Sequence, residues 1–421
     1  MNIKYNLIIS IITLIAIVII KIYNYKKNPI IDKENLTYKK EKKLIIILTI
    51  ISFIILIASL ICNKIINNYS LLDNILSSLT LFILTLPISI FNLFNTYFKN
   101  EKEYCYTKTI ITTEIPSKEL LKKYNKSHIN LVIVTDKETN LNLLVLEPKE
   151  ISIKNIHKNI IINSKSYKNI LKKYQEKSIT IYSEDLNETY NAIINSRGLC
   201  DNYFRAIKYN LITYTSLISS IIFVNFIMKF PFTYTLSLAL LMKLLTSIFS
   251  LTTYKNMKYD NDIETRIVRN KSVYLYKEEY LLMIFQIVPV IIAISLIYTF
   301  LLASDATQEF ANTTFYLITI FSNIFLTTVN ISESITIINI LKAFKDIYVL
   351  AYVIILSIIS VLIYYLEIFV TKQITIRNVI ACLLVSAIFT MCFDIIKLAR
   401  YTSMKGTKKN GNKNNKKHKR S

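Results

Sequence analysis

Long apolar runs with few charges recur from one end of this chain to the other, and they restrict its fold more than any other feature. A bilayer core about 30 Å thick takes about 20 helical residues. Nine runs approach or meet that length: Leu7–Ile20, Leu44–Cys62, Ile75–Tyr97, Leu211–Phe226, Phe232–Leu251, Leu281–Leu302, Thr313–Asn330, Ile347–Val370 and Val379–Leu398. Only helices or closed barrels satisfy their backbone in lipid, and these runs lack the alternation of barrel strands. The expected fold class is therefore a polytopic α-helical membrane protein of about nine transmembrane helices with a small cytosolic α/β insert.

Lysine and arginine crowd Lys21–Lys43, the segment after Phe98, Tyr254–Tyr280 and the tail after Leu398, and are absent from Ser304–Asn312. Positive-inside bias then puts the amino terminus outside and the carboxy terminus in the cytosol. The first run is followed by KIYNYKK and no small-residue cleavage site, so it reads as an uncleaved anchor, with a cleaved signal peptide as the alternative. The organisation expected is an anchor over 1–22, a basic linker over 23–43, a membrane hairpin over 44–98, a cytosolic domain and stalk over 99–208, a six-helix membrane domain over 209–401 and a basic tail over 402–421.

The net charge of +23 follows from positive-inside loops, so it does not argue for nucleic acid. The expected partners are the bilayer, anionic lipid for the tail KGTKKNGNKNNKKHKRS, and a membrane protein. Cys62, Cys105, Cys200, Cys382 and Cys392 form no CxxC pair, and His128, His157 and His418 are scattered, so neither a metal nor a cofactor is expected. A low-glycine composition rich in Lys, Asn and Ile points to a bacterial cell membrane.

Between Lys99 and Lys208 the sequence turns soluble. The β-branched runs Thr109–Thr113, Ile129–Thr135, Leu141–Leu146 and Ser178–Tyr182 read as strands, and Ser117–Tyr124 and Ser166–Lys177 as helices.

The stretch SEDLNETYNAIINSRGLCDNYFRAIKYNL, Ser183–Leu211, carries Glu184, Asp185, Ala192, Ile193, Arg197, Asp201, Asn202, Arg205, Ile207, Lys208 and Tyr209 in the order in which P-type cation ATPases join phosphorylation domain to stalk. The chain resembles that family from about Leu44 to Tyr401. Ala311, Thr313 and Phe315 resemble the start of the family's eighth helix, Ile331–Ser334 its end, and Phe393–Tyr401 the exit of the last helix. Leu86-Pro87 resembles the break in the fourth helix, and TDKETN at Thr135–Asn140 falls near the family's phosphorylation motif.

The departures bear on activity. Phosphoryl transfer to an aspartate depends on positioning, with Mg²⁺ and backbone amides neutralising charge. Asp136 and Lys137 are vestiges of that site by resemblance, but Glu138, Thr139 and Asn140 replace the T-G-T that should follow, and no GDGxND or TGE motif is present. Only three glycines, Gly198, Gly406 and Gly411, are available for loops of that kind.

The cation site is altered in the same way. The resemblance implies a vestige at Pro87, Tyr214, Leu217, Lys243 and Glu333, with Leu84 or Ile88, Leu241 and Leu245 on ligand positions. Hard cations need oxygen ligands, and an unpaired intramembrane charge is costly. Lys243 is then either a snorkelling lysine or a tethered cation in the space of the lost metal.

No catalytic residue is expected to function. The reading is a catalytically inactive P-type-ATPase-like membrane protein acting as scaffold or regulator of a membrane partner. The alternatives are an ATP-independent cation transporter or channel, or the membrane subunit of a split pump.

Overall fold

The computed structural model describes residues 36–65, 68, 70–87, 102–112, 116–137, 140–146, 179–183, 185–223, 263–265, 277–330, 345–365 and 374–390, together with Ile12, Ile15 and Ile19, which are helical and exposed.

A four-stranded sheet organises the soluble part. β1 (Thr107–Thr112) pairs in parallel with β2 (Asn130–Lys137) on one side and with β4 (Ile179–Ser183) on the other. β3 (Asn140–Leu146) folds back antiparallel on β2, giving the order β3-β2-β1-β4. These are the four runs that β-branched composition marks out. The expected helix Ser166–Lys177 lies outside the described residues.

Parallel strands need a crossover, and α3 (Lys118–Lys126) supplies it between β1 and β2. Its start follows Pro116, and the Ser117 hydroxyl accepts from Leu120 N at 3.2 Å, a side-chain cap for an otherwise orphaned donor. Glu119 in its first turn and Lys123 and Lys126 in its last match the helix dipole. Past its end His128 takes φ 55°, and Ile129 N bonds back to Tyr124 O at 3.1 Å. A single turn, α2 (Lys102–Cys105), precedes β1.

Leu120, Leu121 and Tyr124 pack on Ile110, Ile129 and Leu131 of the strand region. Two further pieces close this core. Leu186, Tyr190, Ile193 and Ile194 come from the first turns of α4 (Leu186–Ile222), and Ile263 comes from a single 3₁₀ turn over Ile263–Thr265.

The same α4 then enters a second core. It runs 37 residues without a break, about 55 Å at 1.5 Å per residue. Tyr203 to Ile221 pack there with α5 (Lys277–Ala303), α6 (Gln308–Asn330) and α7 (Ile347–Tyr365). Cys382 of α8 (Ile376–Thr390) joins the same cluster, as does Leu81 of a helix hairpin near the N-terminal end.

That hairpin pairs αA (Leu36–Ile65) with αB (Leu71–Thr85). Its seam is polar and mutually bonded. Asn63 Nδ2 donates to Ser78 Oγ at 3.2 Å, Ser78 Oγ to Asn74 Oδ1 at 3.3 Å, and Asn74 Nδ2 to Leu60 O at 2.9 Å. Small polar groups of this kind join helices where no hydrophobic difference drives them together. Burial sets the layout of the whole bundle: 78% of the apolar window of α6 is enclosed, against 11% of that of αA. Thus α6 is the central pillar and αA the periphery.

Among the described residues three helices are long and apolar enough to cross a membrane, Lys43–Ile65, Glu279–Ala303 and Gln308–Thr327, and Asn74–Ile83, Ile347–Ile358 and Ile376–Thr390 are shorter apolar helices. Of the nine expected spans, Phe232–Leu251 lies outside the described residues, as does Leu7–Ile20 apart from three positions. Two of the boundaries that differ from expectation have a local cause. αB begins at Leu71 rather than Ile75 and stops at Thr85, because Pro87 has no N–H to donate and disfavours helical backbone before it. α6 begins at Gln308 rather than Thr313, where the Thr307 hydroxyl accepts from Phe310 N at 3.4 Å.

Candidate functional site

Asp136 and Lys137 lie at the carboxyl end of β2, and the strand does not release them into a loop. Asp136 stands opposite Leu141 and Lys137 opposite Asn140 in the antiparallel ladder with β3, so only Glu138 and Thr139 connect the strands. The backbone of Asp136 and Lys137 is therefore paired with β3 up to the end of the strand.

Beyond the opposite end of β1, Arg197 of α4 reaches under the sheet. The side chain is buried, with the residue 6% exposed, and it donates from Nη1 to Ser127 O at 2.9 Å and from Nη2 to Thr107 O at 3.3 Å. Burial pushes the guanidinium down to about 10, which leaves it a cation at neutral pH. The Ser127 hydroxyl meets Tyr190 Oη at 3.0 Å, and Tyr124 Oη donates to Leu186 O at 2.6 Å. Burial also raises the Tyr190 phenol above its ordinary value, so it stays neutral. These contacts fasten the start of α4 to the turn after α3 and to the first residue of β1. Ile263 adds an apolar plug from its 3₁₀ turn, and Lys126 Nζ bonds Glu264 Oε2 at 3.0 Å beside it.

Inside the bundle, Pro87, Tyr214 and Leu217 are the expected cation-site vestiges among the described residues, and all three are buried. Tyr214 is 8% and Leu217 5% exposed on α4. Leu211–Ile222 contains no carboxylate. Its buried hydroxyls bond their own helix: Thr213 to Tyr209 O at 3.0 Å, Ser216 to Thr213 O at 3.1 Å and Ser220 to Ser216 O at 2.8 Å. Pro87 is buried, and Thr85 O just before it lies 2.9 Å from the Ser52 hydroxyl of αA. Lys243, Leu241, Leu245, Ile88 and Glu333 lie outside the described residues, as do the tail and Thr246 and Ser247.

Sequence reasoning missed a polar constellation where α4 enters the membrane core. Asp201 pairs with Arg205 at 2.6 Å one turn along the helix. Lys208 Nζ reaches Glu279 Oε1 of α5 at 3.4 Å, and the Tyr209 hydroxyl meets Tyr352 Oη of α7 at 3.2 Å and Thr327 Oγ1 of α6 at 3.4 Å. The spacing Arg197, Asp201, Arg205, Lys208 was the available signal, since charges three and four apart share one helix face.

Residues 231–399 match the family model of the C-terminus of cation transporting ATPases, which supports the P-type resemblance across the membrane half of the chain. No curated protein matches the chain.

Proposed function

From a membrane half of the cation-ATPase C-terminal kind, we propose that this chain is a catalytically inactive P-type-ATPase-like membrane protein that acts as scaffold or regulator of a membrane partner. The observation that carries the reading is the hairpin at Asp136. A phosphorylated aspartate needs free backbone amides and Mg²⁺ converging on the phosphate. Asp136 and Lys137 are paired with Leu141 and Asn140, which commits their own backbone to a β-ladder, and Glu138 adds a negative side chain in the sequence. The burial of Tyr214 and Leu217, and the lack of a carboxylate in Leu211–Ile222, support loss of cation ligation as well.

The test is direct. Full-length protein given γ-labelled ATP and Mg²⁺ forms no acid-stable, hydroxylamine-sensitive phosphoenzyme on this reading. A labelled band that disappears in Asp136→Asn would refute it. ATP-independent cation flux in proteoliposomes would favour the transporter alternative, and co-purification with a soluble ATPase the split pump.

A further inference from the structure

We infer that Lys208 and Tyr209 form a clamp that fixes α4 to α5, α6 and α7 at one level and so holds these four helices in a single arrangement. This concerns the freedom of α4 to move and does not depend on whether the chain uses ATP.

The argument begins with position. Two successive residues on a helix point about 100° apart, so neighbours in sequence can grip different partners. Lys208 bonds α5 near its start, through Glu279, while Tyr209 meets Thr327 near the end of α6 and Tyr352 near the start of α7. The start of α5, the end of α6 and the start of α7 therefore converge on one turn of α4.

Burial makes the contacts specific. The Lys208 and Glu279 side chains are 14% and 9% exposed, and Tyr209 and Thr327 are fully buried. A charge so placed cannot exchange Lys208 for water when the helix shifts, so sliding or tilting of α4 would break the pair without replacing it.

Proton inventory orders the hydroxyls. Thr327 has one proton and two acceptors in reach, Asn323 O at 2.8 Å and Tyr209 Oη at 3.4 Å. Thr327 Oγ1 donates to both, and the Tyr209 hydroxyl that accepts from it also pairs with Tyr352 Oη at 3.2 Å. The network of Tyr352, Tyr209, Thr327 and Asn323 O closes only when three helices stand in register.

The experiment uses full-length protein in nanodiscs, depleted of native cysteines, with spin labels at exposed Asn187 on the soluble end of α4 and exposed Ser304 after α5. The clamp requires one narrow distance distribution for the parent. Lys208→Met combined with Tyr209→Phe should broaden it at least twofold or add a second population, and Lys208→Arg alone should keep it narrow. Where the combined variant fails to fold, Tyr352→Phe, which removes one hydroxyl, should still broaden it. A broad distribution in the parent, or an unchanged one in every folded variant, overturns the clamp.

Discussion

Replacing Ile263 by alanine should loosen the soluble domain, although this residue lies on a 3₁₀ turn far along the chain from the sheet. Ile263 is 5% exposed and packs with Leu120, Leu121, Tyr124, Tyr190 and Ile193. Truncating a buried isoleucine to alanine removes about 2–5 kcal/mol. A short turn at the edge of a core can settle into the space left, which favours the lower end, about 2–3 kcal/mol. The neighbouring ion pair gives the contrast. Lys126 and Glu264 side chains are 57% and 38% exposed, so their pairing contributes about 0–1 kcal/mol. At 1.4 kcal/mol per factor of ten, local opening should rise about 30–150-fold for Ile263→Ala and no more than about fivefold for Lys126→Ala. Hydrogen exchange read by mass spectrometry on peptides covering 107–131 and 186–194 resolves that difference. Unchanged exchange in Ile263→Ala, or faster exchange in Lys126→Ala than in Ile263→Ala, would refute the argument that the apolar plug holds the turn.

Three further outcomes are expected. Arg197→Met should destabilise the junction by about 2–4 kcal/mol by removing the buried donors to Ser127 O and Thr107 O, and Arg197→Lys should rescue little because a single ammonium cannot fork to both carbonyls; denaturant melting compares them. His128→Gly should be neutral or stabilising by up to about 1 kcal/mol at φ 55°, whereas His128→Val should cost about 1–3 kcal/mol in the same melts. Cysteines introduced at Asn2 and Ser304 should react with an impermeant thiol reagent outside intact cells and one at Lys258 should not; labelling of Lys258 would reverse the orientation read from the lysines.

Local pattern carried much of the secondary structure that the described residues show. The β-branched runs became β1 to β4, Pro116-Ser117 opened α3, and the apolar runs through Leu44–Cys62 and Leu281–Leu302 lie within αA and α5, because strand propensity, capping and bilayer length each act over a few neighbouring residues. Leu86-Pro87 was legible for the same reason, though the stop at Thr85 came from backbone sterics that a hydropathy window does not register. At the candidate site the sequence ended the strand at Thr135, and only strand pairing decided that Asp136 and Lys137 stay in the ladder with β3.

The remaining features depended on contacts between residues far apart in sequence. Nothing near Ile263 announces that it enters a core built 70 to 150 residues earlier, and nothing near Tyr352 announces Tyr209. Arg197, Lys208 and Glu279 read as ordinary stalk and loop charges until packing removed their water. Desolvation is what turns such a charge into a structural constraint, and it is a property of the assembled helices and sheet, not of any stretch of sequence.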